Sequence, residues 1–250
     1  MEETYEEKLE RKTAELKQRK KDRRRELLCS MSAGKLRFYV FSKPQASIVE
    51  RRVFLLEEAA AAAARKERLE NALSQGQRIA FDCGYDEIMS EKEINSLSKQ
   101  IKFSYGTTKR MTSPFALTIA NYHGRIEAAL QRFGIDQWKV CTETRRVHEI
   151  FNPEELVFLT PDSPNVLETL DPTKVYVIGG IVDRSRVKGR SRAAADAIGV
   201  ATARLPIQEY ILDRHNDHIL NVNTVVDILA AISGGADWPS ALASCLPKQH

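Results

Sequence analysis

The sequence predicts an α/β fold on a mostly parallel sheet, preceded by a basic, largely helical N-terminal extension over residues 1–75. Three observations predict it. From residue 77 on, short runs of β-formers alternate with helical segments at the spacing of strand–helix units rather than hairpins. One run, Val175 to Ile178, contains nothing that needs water and suits a strand buried on both faces. Residues 4–28, by contrast, are dense in Glu, Lys and Arg and hold no Gly or Pro. They read as a helix with one solvated face or as a disordered arm.

Within that arm, Lys17, Arg19, Lys20, Lys21, Arg23, Arg24 and Arg25 surround a single acid, Asp22. Charge runs commonly do no more than solvate. Clustered cations also neutralise nucleic-acid phosphates and release counterions, which is the sharper reading. Leu36 to Phe41 looks extended and Pro44 stops it. Residues 49–73 return to helix, with Leu69 and Leu73 spaced i, i+4, and Gly76 ends that helix.

The main domain, residues 76–250, opens with a strand at Arg78–Asp82. Ser90 and Glu93 form a capping box that starts a helix through Ile101. Strands are expected at 115–120, 139–142 and 156–159, with a helix over 124–133 between the first two. A helix to Leu170 follows Thr160-Pro-Asp-Ser-Pro164, with Asp162 and Ser163 as its N-cap. Then come the strand at 175–178, a helix over 191–198 closed by Gly199, a strand over 201–207 and a helix over 223–232. Gly234-Gly235 lead into a tail around Trp238.

The 250 residues suffice for one large domain plus an appendage. No apolar run reaches transmembrane length, since the alanine block at 59–64 is flanked by charges. With no secretory signal and an acidic start at Glu2, Glu3, Glu6 and Glu7, a cytoplasmic or nuclear protein is expected. Cys29, Cys83, Cys141 and Cys245 are scattered, with no C-x-x-C and no histidine at ligand spacing. Reduced thiols and no metal site are therefore expected.

The chemistry-bearing stretch follows the 175–178 strand. Gly179 and Gly180 have no side chains, so a backbone or a ligand can come close. Asp183 comes next, and Arg184, Arg186, Lys188, Arg190 and Arg192 place a cation at every second position. A strand, a glycine turn and a solvated basic loop is the plain reading. Parallel sheets, however, bind ligands outside the carboxyl ends of their strands. The strands ending at Thr160, Gly180 and Ile207 share that rim if their order brings them together. The chain has no G-x-x-x-x-G-K-[ST] loop, G-x-S-x-G elbow, H-E-x-x-H pair or G-x-G-x-x-G fingerprint. His215 and His218 lack neighbouring ligands, and Trp138 and Trp238 read as core.

These residues carry a resemblance. Val175 to Asp183, Lys188-Gly189 and Ala203 to Tyr210 resemble the tRNA (guanine-9-N1)-methyltransferase family. So do Phe81 to Glu93 with Gln100 and Tyr105-Gly106, then Leu159 to Pro164, and Leu220 to Leu229. The motifs stand in order from about Gly76 to Pro247. Ser185 stands where the family usually has Asn, and Asn221 where Thr is usual. The resemblance implies a SPOUT-type sheet whose C-terminal part is tied in a trefoil knot, a rare exception to ordinary chain topology. It implies S-adenosyl-L-methionine as cofactor. The residues implied to hold it are Leu159, Thr160, Gly179, Gly180, Arg184, Ser185, Lys188 and Arg192, with Leu205, Pro206, Ile207, Leu220, Asn221, Val222 and Asn223.

The expected activity is methylation of N1 of guanine at position 9 of tRNA by a monomer with no membrane association. Asp183 is the expected base or orienting group. The N-terminal cations, with Arg186 and Arg190, are expected to hold phosphates. Two alternatives stand beside this: a non-catalytic RNA-binding subunit of the same fold, and an enzyme that also accepts adenine 9.

Overall fold

The computed structural model describes residues 15, 18, 19, 22, 48–182, 190–211 and 220–246. The chain divides into two compact units, residues 1–62 and 63–250. Helix α1 spans Ile48–Gln75, and within the second unit Leu69 and Ala72 are its buried side chains. Leu73, the other half of the i, i+4 pair, is exposed.

Among the described residues the sheet has six parallel strands in the order β3-β2-β1-β5-β4-β6. They are β1 (Arg78–Asp82), β2 (Ala116–Ala120), β3 (Cys141–Thr142), β4 (Leu156–Leu159), β5 (Val175–Gly179) and β6 (Ala201–Ala203). Its centre is β1 paired with β5, where Ile79, Ala80, Phe81, Val175 and Val177 are wholly buried. Side chains alternate between faces, so Phe81, Leu117, Ile119 and Ile178 look one way while Ala80, Ala120, Phe158 and Val177 look the other.

The first face is heavily covered. Helices α2 (Glu91–Arg110), α3 (Gly124–Gln131), α7 (Val222–Ser233) and α8 (Trp238–Cys245) contribute Leu97, Ile126, Val226 and Leu242 to its cluster. The second face carries less: Val147 from the single turn α4 (Val147–Ile150) and Ala195 from α5 (Arg190–Ile198).

Several expectations change here. Helix α2 has the predicted capping box, with Ser90 N–H donating to Glu93 Oε2 at 2.6 Å, but continues to Arg110 rather than stopping near Ile101. Its polar residues feed themselves within the helix: Ser104 Oγ donates to the Gln100 carbonyl and Thr108 Oγ1 to that of Ser104. No helix follows Pro164. Val166 bridges Arg204, Leu167 N–H donates to the Arg204 carbonyl at 2.8 Å, and Arg204 N–H donates to the Asn165 carbonyl at 2.8 Å. Ser163 therefore caps nothing helical, and its hydroxyl shares a 2.9 Å hydrogen bond with Thr202. Strand β6 stops at Ala203, because the chain turns at Pro206 into the short helix α6 (Ile207–Tyr210). The region of Trp238 is helix α8, capped by Asp237, whose carboxylate accepts from Ser240 N–H at 2.9 Å.

Candidate functional site

The carboxyl ends of β4, β5 and β6 stand side by side, since Leu159 pairs with both Ile178 and Ala203. Beyond them lies a partly open pocket, about 770 Å³ with its open mouth included. Leu159, Thr160 and Pro161 form one wall, and Ile178, Gly179 and Ile181 a second. Arg204, Leu205, Ile207 and Gln208 form a third, and Leu220 with Val222 and Val225 of α7 closes the fourth.

Local chemistry explains each wall. Thr160 N–H donates to the Ala203 carbonyl at 2.9 Å, so the turn after β4 is tied to β6 and its side chain is buried. A Cβ on Gly179 would lie 2.5 Å from Ser191 Oγ, so the bare glycine lets that hydroxyl of the first turn of α5 sit over the end of β5. Gly180 serves a different neighbour. Its N–H donates to the Asp82 carbonyl at 2.7 Å, and a Cβ there would meet that same oxygen at 2.8 Å. The space is taken by the backbone of β1, not by a ligand. The first turn of α7 is held by Gln100, whose Oε1 accepts from Val222 N–H at 2.8 Å, satisfying a donor that the helix itself cannot.

The pocket's electrostatics are quiet. Arg204 is the cation among its described lining residues, and Glu209 grips it with two hydrogen bonds of 2.9 and 2.6 Å. That pairing holds the guanidinium firmly in its charged form. No carboxylate lines the pocket among the described residues. Such a cavity fits a flat apolar ring against Leu159, Leu205 and Val225, with Thr160, Ser191 and Gln208 available for hydrogen bonds.

Seven of the residues implied by resemblance therefore meet in one place: Leu159, Thr160, Gly179, Leu205, Ile207, Leu220 and Val222. Gly180, Pro206 and Asn221 are chain neighbours of that lining and not part of it. Asn223 looks into a different groove, against α2. The Arg192 guanidinium donates to the Asp162 carbonyl at 2.6 Å and pairs with Asp196 at 3.7 Å on the exposed side of α5. Asp183, Arg184, Ser185, Arg186 and Lys188 lie outside the described residues, as do Lys17, Lys20, Lys21, Arg23, Arg24 and Arg25 and the side chain of Arg190. Arg19 is exposed. Pro161, Ile178, Ile181, Ser191, Arg204, Gln208 and Val225 also line the site and are not among the residues the resemblance implied. Val225 was findable, one turn after Val222 on the same helix face, whereas the closeness of Ser191 to Gly179 has no local signal.

Residues 1–250 match the family model described as tRNA (guanine(9)-N(1))-methyltransferase TRM10/TRM10A. The chain belongs to this family. Among TRM10 relatives, it is 36% identical over 191 residues to the tRNA (guanine(9)-N1)-methyltransferase of Schizosaccharomyces pombe, covering 73% of this chain and 62% of that one. It is 33% identical over 175 residues to mouse tRNA methyltransferase 10 homolog A, covering 69% and 53%. The chain thus spans between about half and three-fifths of the length of these curated relatives. The crystal structure of full-length spTrm10 in complex with SAH superposes with a TM-score of 0.63 at 35% identity, covering 68% of this chain and 94% of that one. A dual specific Trm10 from Thermococcus kodakaraensis, 20% identical over 68% of this chain and 99% of that one, shares the fold with a TM-score of 0.56.

Proposed function

We propose that this TRM10 chain is an S-adenosyl-L-methionine-dependent tRNA methyltransferase acting on N1 of guanine 9. One observation carries the reading: the pocket where the ends of β4, β5 and β6 meet the first turns of α7, in a chain similar to an SAH-bound Trm10. Leu159, Leu205 and Val225 would enclose the cofactor's purine, and Thr160, Ser191 and Gln208 would bond its polar groups. When bound, the cofactor supplies an electrophilic methyl group.

The remaining chemistry falls to the chain's own residues. Guanine N1 carries a proton at neutral pH, which must leave before or during transfer. Asp183 is the acceptor or orienting group in this reading, two residues beyond Ile181 of the pocket wall. The neighbouring Arg184, Arg186 and Lys188 would keep Asp183 ionised and so weaken it as a base. Part of the assistance therefore comes from Arg184 or Lys188 stabilising the guanine oxyanion that develops. Position 9 lies in the tRNA core, so the base must be drawn out while Lys17 to Arg25, Arg186 and Arg190 hold phosphates.

A trefoil knot belongs to the same reading. It is supported by residues 165–167, which hydrogen-bond Arg204 from both its N–H and its carbonyl. A separate basic extension over residues 1–75, a monomer, and residence in the cytoplasm or nucleus complete the proposal. No described helix is long and apolar enough to cross a membrane.

Nucleoside mass spectrometry of a tRNA transcript incubated with the protein and cofactor tests this. One 1-methylguanosine per transcript, lost when guanine 9 is replaced, is expected. Cofactor binding without methylation of any tRNA would leave only the non-catalytic alternative, and methylation of an adenine-9 transcript would widen the substrate.

A further inference from the structure

We infer that the groove between α2, the turn at Ile135–Gln137 and α7 is a docking site for an unpaired nucleotide segment of the RNA, beside the cofactor pocket. The inference deepens the proposed function and rests on it for the identity of the RNA. The groove encloses about 1160 Å³, open mouth included. On α2, Lys102, Tyr105, Gly106 and Lys109 fall at helical spacing on one stripe, and Phe103 and Arg110 flank it. Rings and cations alternate there. Lys102 Nζ stands 4.5 Å from the Phe133 centroid, and Lys109 Nζ 5.4 Å from that of Tyr105. Tyr105 stacks on Trp138 with centroids 4.7 Å apart and planes 10° from parallel, and its hydroxyl accepts from Lys139 N–H at 3.0 Å, which fixes the pair.

Phe103 is 59% exposed and supplies an accessible ring at the edge of the groove. The acid among the described lining residues, Asp227, accepts from Thr107 Oγ1 at 2.5 Å, and Arg110 donates to that hydroxyl at 2.9 Å. Three cations thus face one acid already engaged in pinning α2 to α7. Basic grooves with aromatic platforms fit single-stranded nucleic acid, whose bases are free to stack. A duplex hides its ring faces. A base drawn out of the tRNA core leaves its neighbours locally unstacked, and these are the nucleotides this groove suits. Position supports the same occupant, because Val222 and Val225 of α7 line the cofactor pocket while Asn223 and Asp227 line the groove.

The test uses the full chain and an oligouridylate of about eight nucleotides, a length within the usual single-strand site sizes. Binding should quench tryptophan fluorescence, and Trp138→Phe should abolish the quench, because Trp238 is buried. The exposed triple variant Lys102→Ala, Phe103→Ala, Lys109→Ala should bind the oligonucleotide at least about tenfold more weakly. Its log–log salt slope should drop by about 1.4, or 0.7 for each lost cation. SAH affinity by calorimetry and the melting temperature should stay near wild type. Asp227→Asn should tighten oligonucleotide binding. Oligonucleotide affinity unchanged in the triple variant, or an acidic peptide of equal charge binding as tightly as RNA, would overturn the inference. A protein that binds RNA through these residues yet methylates nothing would support the groove and refute the proposed reaction.

Discussion

Val222 and Val225 of α7 look into an apolar pocket, while Asn223 and Asp227, one and two positions further along, look into a groove of lysines and rings. The two flanks share a helix and an anchor, the hydrogen bond from Val222 N–H to Gln100, yet they use opposite physics. The pocket flank offers a ligand desolvation, with its one described cation neutralised by Glu209. The groove flank keeps its ammonium groups in water and lets the rings provide the apolar contact. A helix can do both because residues two apart point to nearly opposite sides.

The sharpest way to break the comparison is Val225→Glu. Placing a carboxylate in the apolar flank costs several kcal/mol, so SAH affinity should fall by at least about 100-fold. Oligonucleotide affinity should stay within about twofold on the same scale. Equal losses for both ligands would mean that the flanks are one site.

Gln100→Leu attacks the shared anchor. It leaves the buried Val222 N–H without its acceptor, a cost of about 1–3 kcal/mol in stability measured by urea unfolding. Both ligands should weaken together. A variant of wild-type stability would show that water replaces the amide.

Asp82 provides a control at the same edge of the sheet but on its opposite face. Desolvation raises its carboxyl pKa, against hydrogen bonds from Gly84 N–H and Asn121 Nδ2 that lower it. A raised folded-state pKa means its contribution is fully present below the unfolded value of about 4 and is lost as pH rises through the folded value. Asp82→Asn removes the charge, so its melting temperature should exceed wild type at neutral pH and converge with it near pH 4. Neither ligand's affinity should move. A gap that widens on acidification would reverse the sign assigned to this group.

The smallest effect is expected at Gly106, mid-helix in α2. An added Cβ would find Arg110 Nη1 at 3.7 Å, ordinary contact, so Gly106→Ala should gain up to about 1 kcal/mol from helix propensity alone. Destabilisation in thermal unfolding would contradict the regular α2 on which the groove is built.

What could be read beforehand divides along local and non-local lines. The Ser90–Glu93 capping box, the Val175–Ile178 strand and the end of α5 at Gly199 are written in neighbouring residues, and the structure has them. The far half of α2 was hidden because Ser104 and Thr108 look polar, although each is buried and feeds a carbonyl one turn back. The supposed helix after Pro164 failed because Arg204 takes its hydrogen bonds, a partner about forty residues away that no window of periodicity contains. Helix α8 is also written locally, in Asp237 as its cap and Pro239 in its first turn. At the site, strand ends could be listed from sequence, but which of them meet depends on β4 lying between β5 and β6. Gly180 shows the limit most clearly, since its glycine is explained by Asp82 of another strand.

The sheet's outline has a consequence for how the protein behaves in a crowded solution. Among the described residues the strands at its two borders are its shortest, β3 with two residues and β6 with three, while β1, β2 and β5 at its centre have five each. An open border is a template on which another chain's strand can add, and its reach scales with the length of unpaired backbone it presents. Borders of two and three residues offer too few donors and acceptors to nucleate such growth. The long aggregation-prone runs are kept in the middle, where each is already paired on both sides.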